Sequence, residues 1–107
     1  MGRKSASEDV FRALADPTRR KLLDRLLEGD MPVMELAASF RMTLPAISQH
    51  LKVLRETGLV SETRHGRQRV YTLNATPLEE VVDWLSHYER FWKARLRKLR
   101  EHLEKNQ

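Results

Sequence analysis

Apolar residues fall at helical spacing in several separate stretches of the chain before the pattern changes. Val10, Phe11, Leu14 and Ala15 predict a short helix over 8–15, which Asp16-Pro17 ends, because a residue before proline is pushed out of the α region. The same pair starts the next helix: Asp caps it, Pro takes the first position, and Leu22, Leu23, Leu26 and Leu27 carry it to Gly29. A third, short helix is predicted from Val33 to Phe40. After Arg41-Met42, Thr43 caps a fourth, with Ile47, Leu51 and Leu54 on one face and Gly58 just past its end. No strand signal precedes Leu59. From there to Leu73 the residues turn β-favouring, with Val60, Thr63, Val70, Tyr71 and Thr72 on either side of Arg64-His65-Gly66-Arg67. A glycine in a short polar break between two such runs predicts a hairpin. Thr76-Pro77-Leu78-Glu79 then has the order of a capping box and opens a long helix over 77–104. The expected fold is mainly α, about five helices plus a two-stranded hairpin, as one domain over 8–107 behind a disordered lead over 1–7.

Leu36 to Leu54 places two helices around a turn of three or four residues, with Leu36, Ala37, Phe40, Met42 and Ile47 at the spacing of a helix-turn-helix core. Ala37 is small where the helices must approach closely. The opposite face of the second helix presents Leu44, Pro45, Ser48, Gln49 and Lys52, with Thr43 at its cap and His50 on its flank. Such a face suits a major groove, where Gln and Ser read base edges and Lys meets phosphate. A solvated amphipathic helix has the same pattern. The hairpin favours the groove reading, because Arg64, His65, Arg67 and Arg69 gather at its tip directly after that helix. From there they reach a neighbouring minor groove or backbone, whose negative potential attracts Arg.

Three blocks together carry a resemblance: Ala13-Leu14-Ala15-Asp16-Pro17-Thr18-Arg19-Arg20, then Ile47-Ser48-Gln49-His50-Leu51-Lys52-Val53-Leu54-Arg55-Glu56-Thr57-Gly58-Leu59-Val60, then Gly66-Arg67-Gln68-Arg69-Val70-Tyr71. In order and spacing the chain resembles the ArsR family of winged helix-turn-helix transcriptional regulators, over nearly its whole length. Members are bacterial homodimers that repress transcription from an operator, and many release DNA when a metal or other signal binds. The resemblance implies a sequence-specific, dimeric repressor of its own operon that binds a double-stranded, imperfectly palindromic operator. It also places Ser48, Gln49 and His50 in the recognition helix and Arg67 at the wing tip.

The chain departs from the metal-sensing members. Their Cys-containing motif on the first helix of the helix-turn-helix corresponds here to Glu35-Leu36-Ala37-Ala38-Ser39. Another branch binds zinc between the C-terminal helices through Asp-x-His and a later His-x-x-Glu. Here only Asp83 and His87 sit together, and Lys105 follows His102 where the later carboxylate would be. Asp83 and His87 are therefore read as a helix-surface pair, and no metal or cofactor is expected. The alternative is an intersubunit site built from two copies of that pair.

Within the predicted terminal helix the apolar residues follow two stripes. Leu78, Val82, Leu85, Trp92, Leu96, Leu99 and Leu103 form one, expected to close the domain's own core; Val81, Trp84, Tyr88 and Phe91 form the other. The second stripe would leave a large aromatic patch in water unless another subunit covered it. The expected homodimer interface is Phe11, Val81, Trp84, Leu85, Tyr88, Phe91 and Trp92. Two-fold symmetry would then set two recognition helices about 34 Å apart, the spacing of consecutive major grooves. Arg90, Lys93, Arg95, Arg97, Lys98 and Arg100 are read as a solvated face whose stems flank the apolar stripe.

Composition narrows the class. The 107 residues carry 20 Lys+Arg against 15 Asp+Glu, a formal charge of +5 that suits a polyanionic partner. At 40% hydrophobic the chain can bury one modest core. Without Cys there are no disulfides, thiolate metal sites or cysteine nucleophiles, which fits a cytoplasmic setting. No apolar run approaches the roughly 18 residues of a membrane span, so no membrane partner is expected. An enzyme reading fails on geometry, since Ser48 and His50 are two apart on one helix and point away from each other. The competing function is a winged-helix module that binds a protein partner through the aromatic patch, without specific DNA binding.

Overall fold

The computed structural model describes residues 6–105. Helix α1 (Ala6–Leu14) starts two residues before the predicted boundary, so Ala6 and Ser7 belong to the helix; the rest of the expected disordered lead, residues 1–5, lies outside the described residues. Asp16 separates it from α2 (Pro17–Leu26), with its carboxylate accepting the Thr18 N–H at 2.8 Å and the Arg19 N–H at 3.1 Å. Across the same joint, Arg19 Nε donates to Ala13 O at 2.7 Å and Arg20 Nη1 to Leu14 O at 2.7 Å. Two cations thus satisfy the carbonyls at the negative end of α1, while an anion satisfies the N–H groups at the positive end of α2.

A two-residue strand, β1 (Met31–Pro32), precedes α3 (Val33–Ala38) and corrects the expectation that no strand comes before Leu59. It pairs antiparallel with β3 (Gln68–Leu73), which pairs in turn with β2 (Val60–His65), giving a three-stranded sheet of order β1-β3-β2. Proline is tolerated in β1 because this strand lies at the sheet edge. The hairpin itself forms as expected around Gly66-Arg67, where Gly66 has φ +65°. A glycine with positive φ at the first of two loop residues suits the twist of the flanking strands.

Helix α4 (Leu44–Glu56) has Thr43 as its cap, with Oγ1 accepting the Ala46 N–H at 3.2 Å. It ends at Gly58, φ +79°, where the Leu59 N–H bonds Leu54 O at 2.9 Å and the Gly58 N–H bonds Arg55 O at 3.0 Å. This double closure turns the chain straight from helix into β2. The core gathers Leu22, Leu23 and Leu26 of α2, Leu36 of α3, Ile47, Leu51 and Leu54 of α4, and Tyr71 of the sheet; no polar or charged residue among those described is buried with them. Met42, expected in this core, is 38% exposed, because α3 ends at Ala38 and the connecting turn carries residue 42 outward.

The predicted long helix over 77–104 is broken. A 3-10 turn (Thr76–Leu78) leads to α5 (Glu79–Ser86), and α6 (Glu89–Lys105) follows after His87-Tyr88. Thr76 lies inside the 3-10 turn, so the expected capping box does not form. At the break, Ser86 Oγ donates to Asp83 O at 2.6 Å and His87 Nδ1 lies 3.1 Å from Trp84 O. Side chains thus compete for carbonyls that a continuing helix would use. The stripe expected to close the domain's own core also behaves differently. Leu78 packs against the core, but Val82, Leu85, Trp92, Leu96, Leu99 and Leu103 are all exposed, and α6 buries no residue. The radius of gyration is 17.5 Å, against about 13 Å for a compact chain of this length, so the terminal helices extend beyond the body of the domain.

The Arg19 N–H foremost, opposed by partial burial and helped by His50, holds the Asp16 carboxyl below its ordinary value. Because the folded value is depressed, the ionised carboxylate stabilises the fold fully above the unfolded pKa of about 3.9, and the contribution disappears as pH falls through the folded value. Asp16→Ala is expected to lower unfolding free energy by about 0.5–2 kcal/mol at pH 7. Asp16→Asn keeps the cap but removes that acid-side component. Urea unfolding of the three proteins at pH 7 and pH 3 measures both effects, and equal midpoints for parent and Asp16→Ala would contradict the capping role.

Candidate nucleic-acid interface

Burying Ile47, Leu51 and Leu54 fixes the rotation of α4 and leaves the other side of the helix outward. Leu44, Pro45, Gln49 and Lys52 are exposed there, and Ser48 is half-buried beside them. Thr43 stands at the N-terminal end of α4, exposed but with its oxygen engaged as the cap. The first turn of α4 is therefore apolar outward, the next carries Ser48 and Gln49, and the cationic Lys52 lies beyond.

The hairpin is anchored to this helix at two points. Near its middle, Arg69 Nη2 donates to Ser48 Oγ at 3.5 Å. At its C-terminal end, Arg55 of α4 forms an ion pair with Glu62 of β2, and the Tyr71 hydroxyl donates to the same carboxylate at 3.3 Å. Burial first, and then the Glu62 charge, push the Tyr71 phenol above its ordinary value, so it stays protonated and able to donate. This second anchor joins residues from a helix end and two strands. No periodicity in the sequence marks such a trio: Tyr71 reads there as a β-favouring residue, and Glu62 carries no signal.

The basic residues of the hairpin separate into two groups. Arg67 occupies the turn, with Arg64 and His65 exposed beside it and His65 Nε2 3.2 Å from Thr63 Oγ1. Arg69 faces Arg64 across the ladder, but it is half-buried and reaches back to α4 rather than standing at the tip. His50 is likewise placed behind the outward face: it is half-buried, with Nδ1 3.4 Å from Arg19 Nη1 on α2. Its position two residues after Ser48 rotates it toward α2.

A second surface lies along α1, α5 and α6. Phe11 meets Trp84 edge-on with ring centroids 5.7 Å apart, and Trp84 meets Tyr88 at 5.4 Å. These rings remain partly in solvent, with Trp84 49% exposed, and Phe91 beyond them is 61% exposed; Leu85 and Trp92 are exposed too, and Val81 is half-buried. Arg90 lies over the Phe91 ring at 5.1 Å. Among the described residues, no three His, Cys, Asp or Glu side chains approach closely enough to hold a metal ion, and no helix is long and apolar enough to cross a membrane.

Residues 16–62, from the Asp16 cap through α4 to Glu62, match the family described as "Bacterial regulatory protein, arsR family". The transcriptional repressor SdpR of Bacillus subtilis is 40% identical over 80 residues, covering 75% of this chain and 89% of that protein. The HTH-type transcriptional regulator Rv2034 of Mycobacterium tuberculosis is 43% identical over 83 residues, covering 78% and 75%. Among solved structures, an ArsR family transcriptional regulator superposes with a TM-score of 0.74 at 36% identity, covering 83% of this chain and 98% of that one. The chain belongs to the arsR family of bacterial regulatory proteins and is a DNA-binding transcriptional regulator with a winged helix-turn-helix fold.

Proposed function

We propose that the protein is a homodimeric repressor that seats one α4 in each of two consecutive major grooves of an imperfectly palindromic operator and lays each hairpin against the flanking backbone and minor groove. One observation carries this reading: Ser48, Gln49 and Lys52 lie on the outer side of a helix whose other side is buried, with a cationic hairpin anchored to that helix through Arg69 and Ser48. Gln49 is suited to the N6 and N7 groups of adenine, Ser48 to either partner of a base pair, and Lys52 to phosphate. Thr43, Leu44 and Pro45 form the end that enters the groove. Arg67 serves as the minor-groove contact, with Arg64 and His65 on the backbone beside it. His50 and Arg69 work from behind this surface, by holding α4 against α2 and against the hairpin.

The dimer forms through the aromatic face of Phe11, Val81, Trp84, Leu85, Tyr88, Phe91 and Trp92. So large an apolar patch on a domain this small fits a surface that a second copy covers. The protein acts in the cytoplasm, where the operator is. Asp83 and His87 supply one carboxylate and one imidazole per subunit, and His87 Nδ1 already lies against its own helix at Trp84 O. Such a pair gives a divalent metal little reason to prefer the DNA-free dimer, so repression follows protein concentration, as in autorepression, or a ligand other than a divalent metal.

Three outcomes test these assignments. Gln49→Ala should relax base preference at one position of each half-site by about 1–3 kcal/mol, whereas Lys52→Ala should weaken all duplexes alike and reduce the salt dependence by about one counterion per contact. Binding measured on a panel of single-base operator variants at several salt concentrations separates the two, and uniform weakening by Gln49→Ala would remove its role in reading. Trp84→Ala should raise the dimer dissociation constant at least about tenfold in sedimentation equilibrium; an unchanged constant would place the interface elsewhere. Micromolar zinc should leave operator affinity as it was, and a zinc-dependent release abolished by both Asp83→Ala and His87→Ala would establish an intersubunit metal site instead.

A further inference from the structure

The outward face of α4 is chemically divided along its length. Its first turn presents Leu44 and Pro45, and its first polar groups for base reading come a turn later at Ser48 and Gln49. Leu44 is 37% exposed and, like Pro45, is not among the buried residues of the core. The adjoining Thr43 Oγ1 is already engaged by the Ala46 N–H. In helix-turn-helix docking the N-terminal residues of the recognition helix are the ones that meet base edges. An apolar side chain pressed there on a base donor or acceptor removes its water and returns no hydrogen bond, which is costly. One group on the major-groove edge of the standard bases avoids this cost: the C5-methyl of thymine.

We infer that Leu44, backed by Pro45, is a specificity-determining residue that selects one thymine in each half-site by packing on its C5-methyl group. The inference rests on α4 being the reading helix. Leu44 shares a face with Ser48, and Pro45 with Gln49, each four residues apart. The methyl contact therefore lies one helical turn from the hydrogen-bonding residues, and a half-site combines a thymine recognised by shape with a base recognised by Gln49. A cytosine at the thymine position is refused for want of the methyl group, and 5-methylcytosine restores part of the contact.

The test uses the full chain and a duplex enriched by repeated selection from a random pool, with each half-site thymine replaced in turn by deoxyuridine, which lacks only the methyl. Affinity should fall about fourfold at one thymine, and about fifteenfold when both half-sites are changed, the equivalent of one buried methyl group each. Leu44→Ser should bind the thymine and uracil duplexes equally, while Leu44→Met should retain discrimination. Leu44 is not among the buried core residues, and urea unfolding of each variant, measured alongside, separates a loss of fold from a loss of the methyl contact. If every thymine tolerates uracil, or the uracil penalty survives in Leu44→Ser, this inference fails while α4 stands as the reading helix. If no duplex is enriched at all, both readings fall together.

Discussion

The burial of Ile47, Leu51 and Leu54 against the rest of the core is the contact on which the other features depend. A helix rotates 100° per residue, so fixing three apolar side chains on one side fixes the direction of every other side chain on α4. The core contains no buried polar residue among those described, so its cohesion comes from apolar packing. The work of orienting α4 is completed at its two ends. Thr43 caps the N-terminal end, and the Gly58 turn sends the chain into β2 within two residues. The hairpin consequently begins from a fixed place on the helix and is held to it by the Arg55, Glu62 and Tyr71 cluster.

The sequence revealed those parts whose signals are local. Asp16-Pro17 and Thr43-Leu44-Pro45 mark helix starts through caps and fixed proline geometry, and both caps form. The hairpin was readable because Gly66 lies between two β-favouring runs. Three features escaped for physical reasons. Strand β1 is only two residues long and includes a proline, so it carries no periodic pattern and exists because β3 offers an edge to pair with. The interruption at His87-Tyr88 follows from Ser86 and His87 bonding nearby carbonyls, which hydrophobic periodicity does not register. Arg19 and His50 meet although they are 31 positions apart, and nothing in either neighbourhood announces the other. For the interface, spacing identified the outward face of α4 but could not separate the exposed Arg64 and Arg67 from Arg69, which the ladder turns toward Ser48.

Leu96, Leu99 and Leu103 of α6 are more than half exposed, and on the same helix Lys93 pairs with Glu89 at 2.9 Å. The helix therefore gains little of its order from the domain that carries it. A single helix of this length is only marginally ordered in water by itself, because its nucleation is costly and no packed face compensates. Joining two copies would then include the ordering of two such helices, and association becomes steeper in its thermodynamic demands than a meeting of rigid surfaces. In the proposed dimer, such coupling would make cellular titre itself an input to the regulator. A few scattered copies would then be short of pairs, whereas a modest rise in synthesis would supply both the partner and the order that pairing confers.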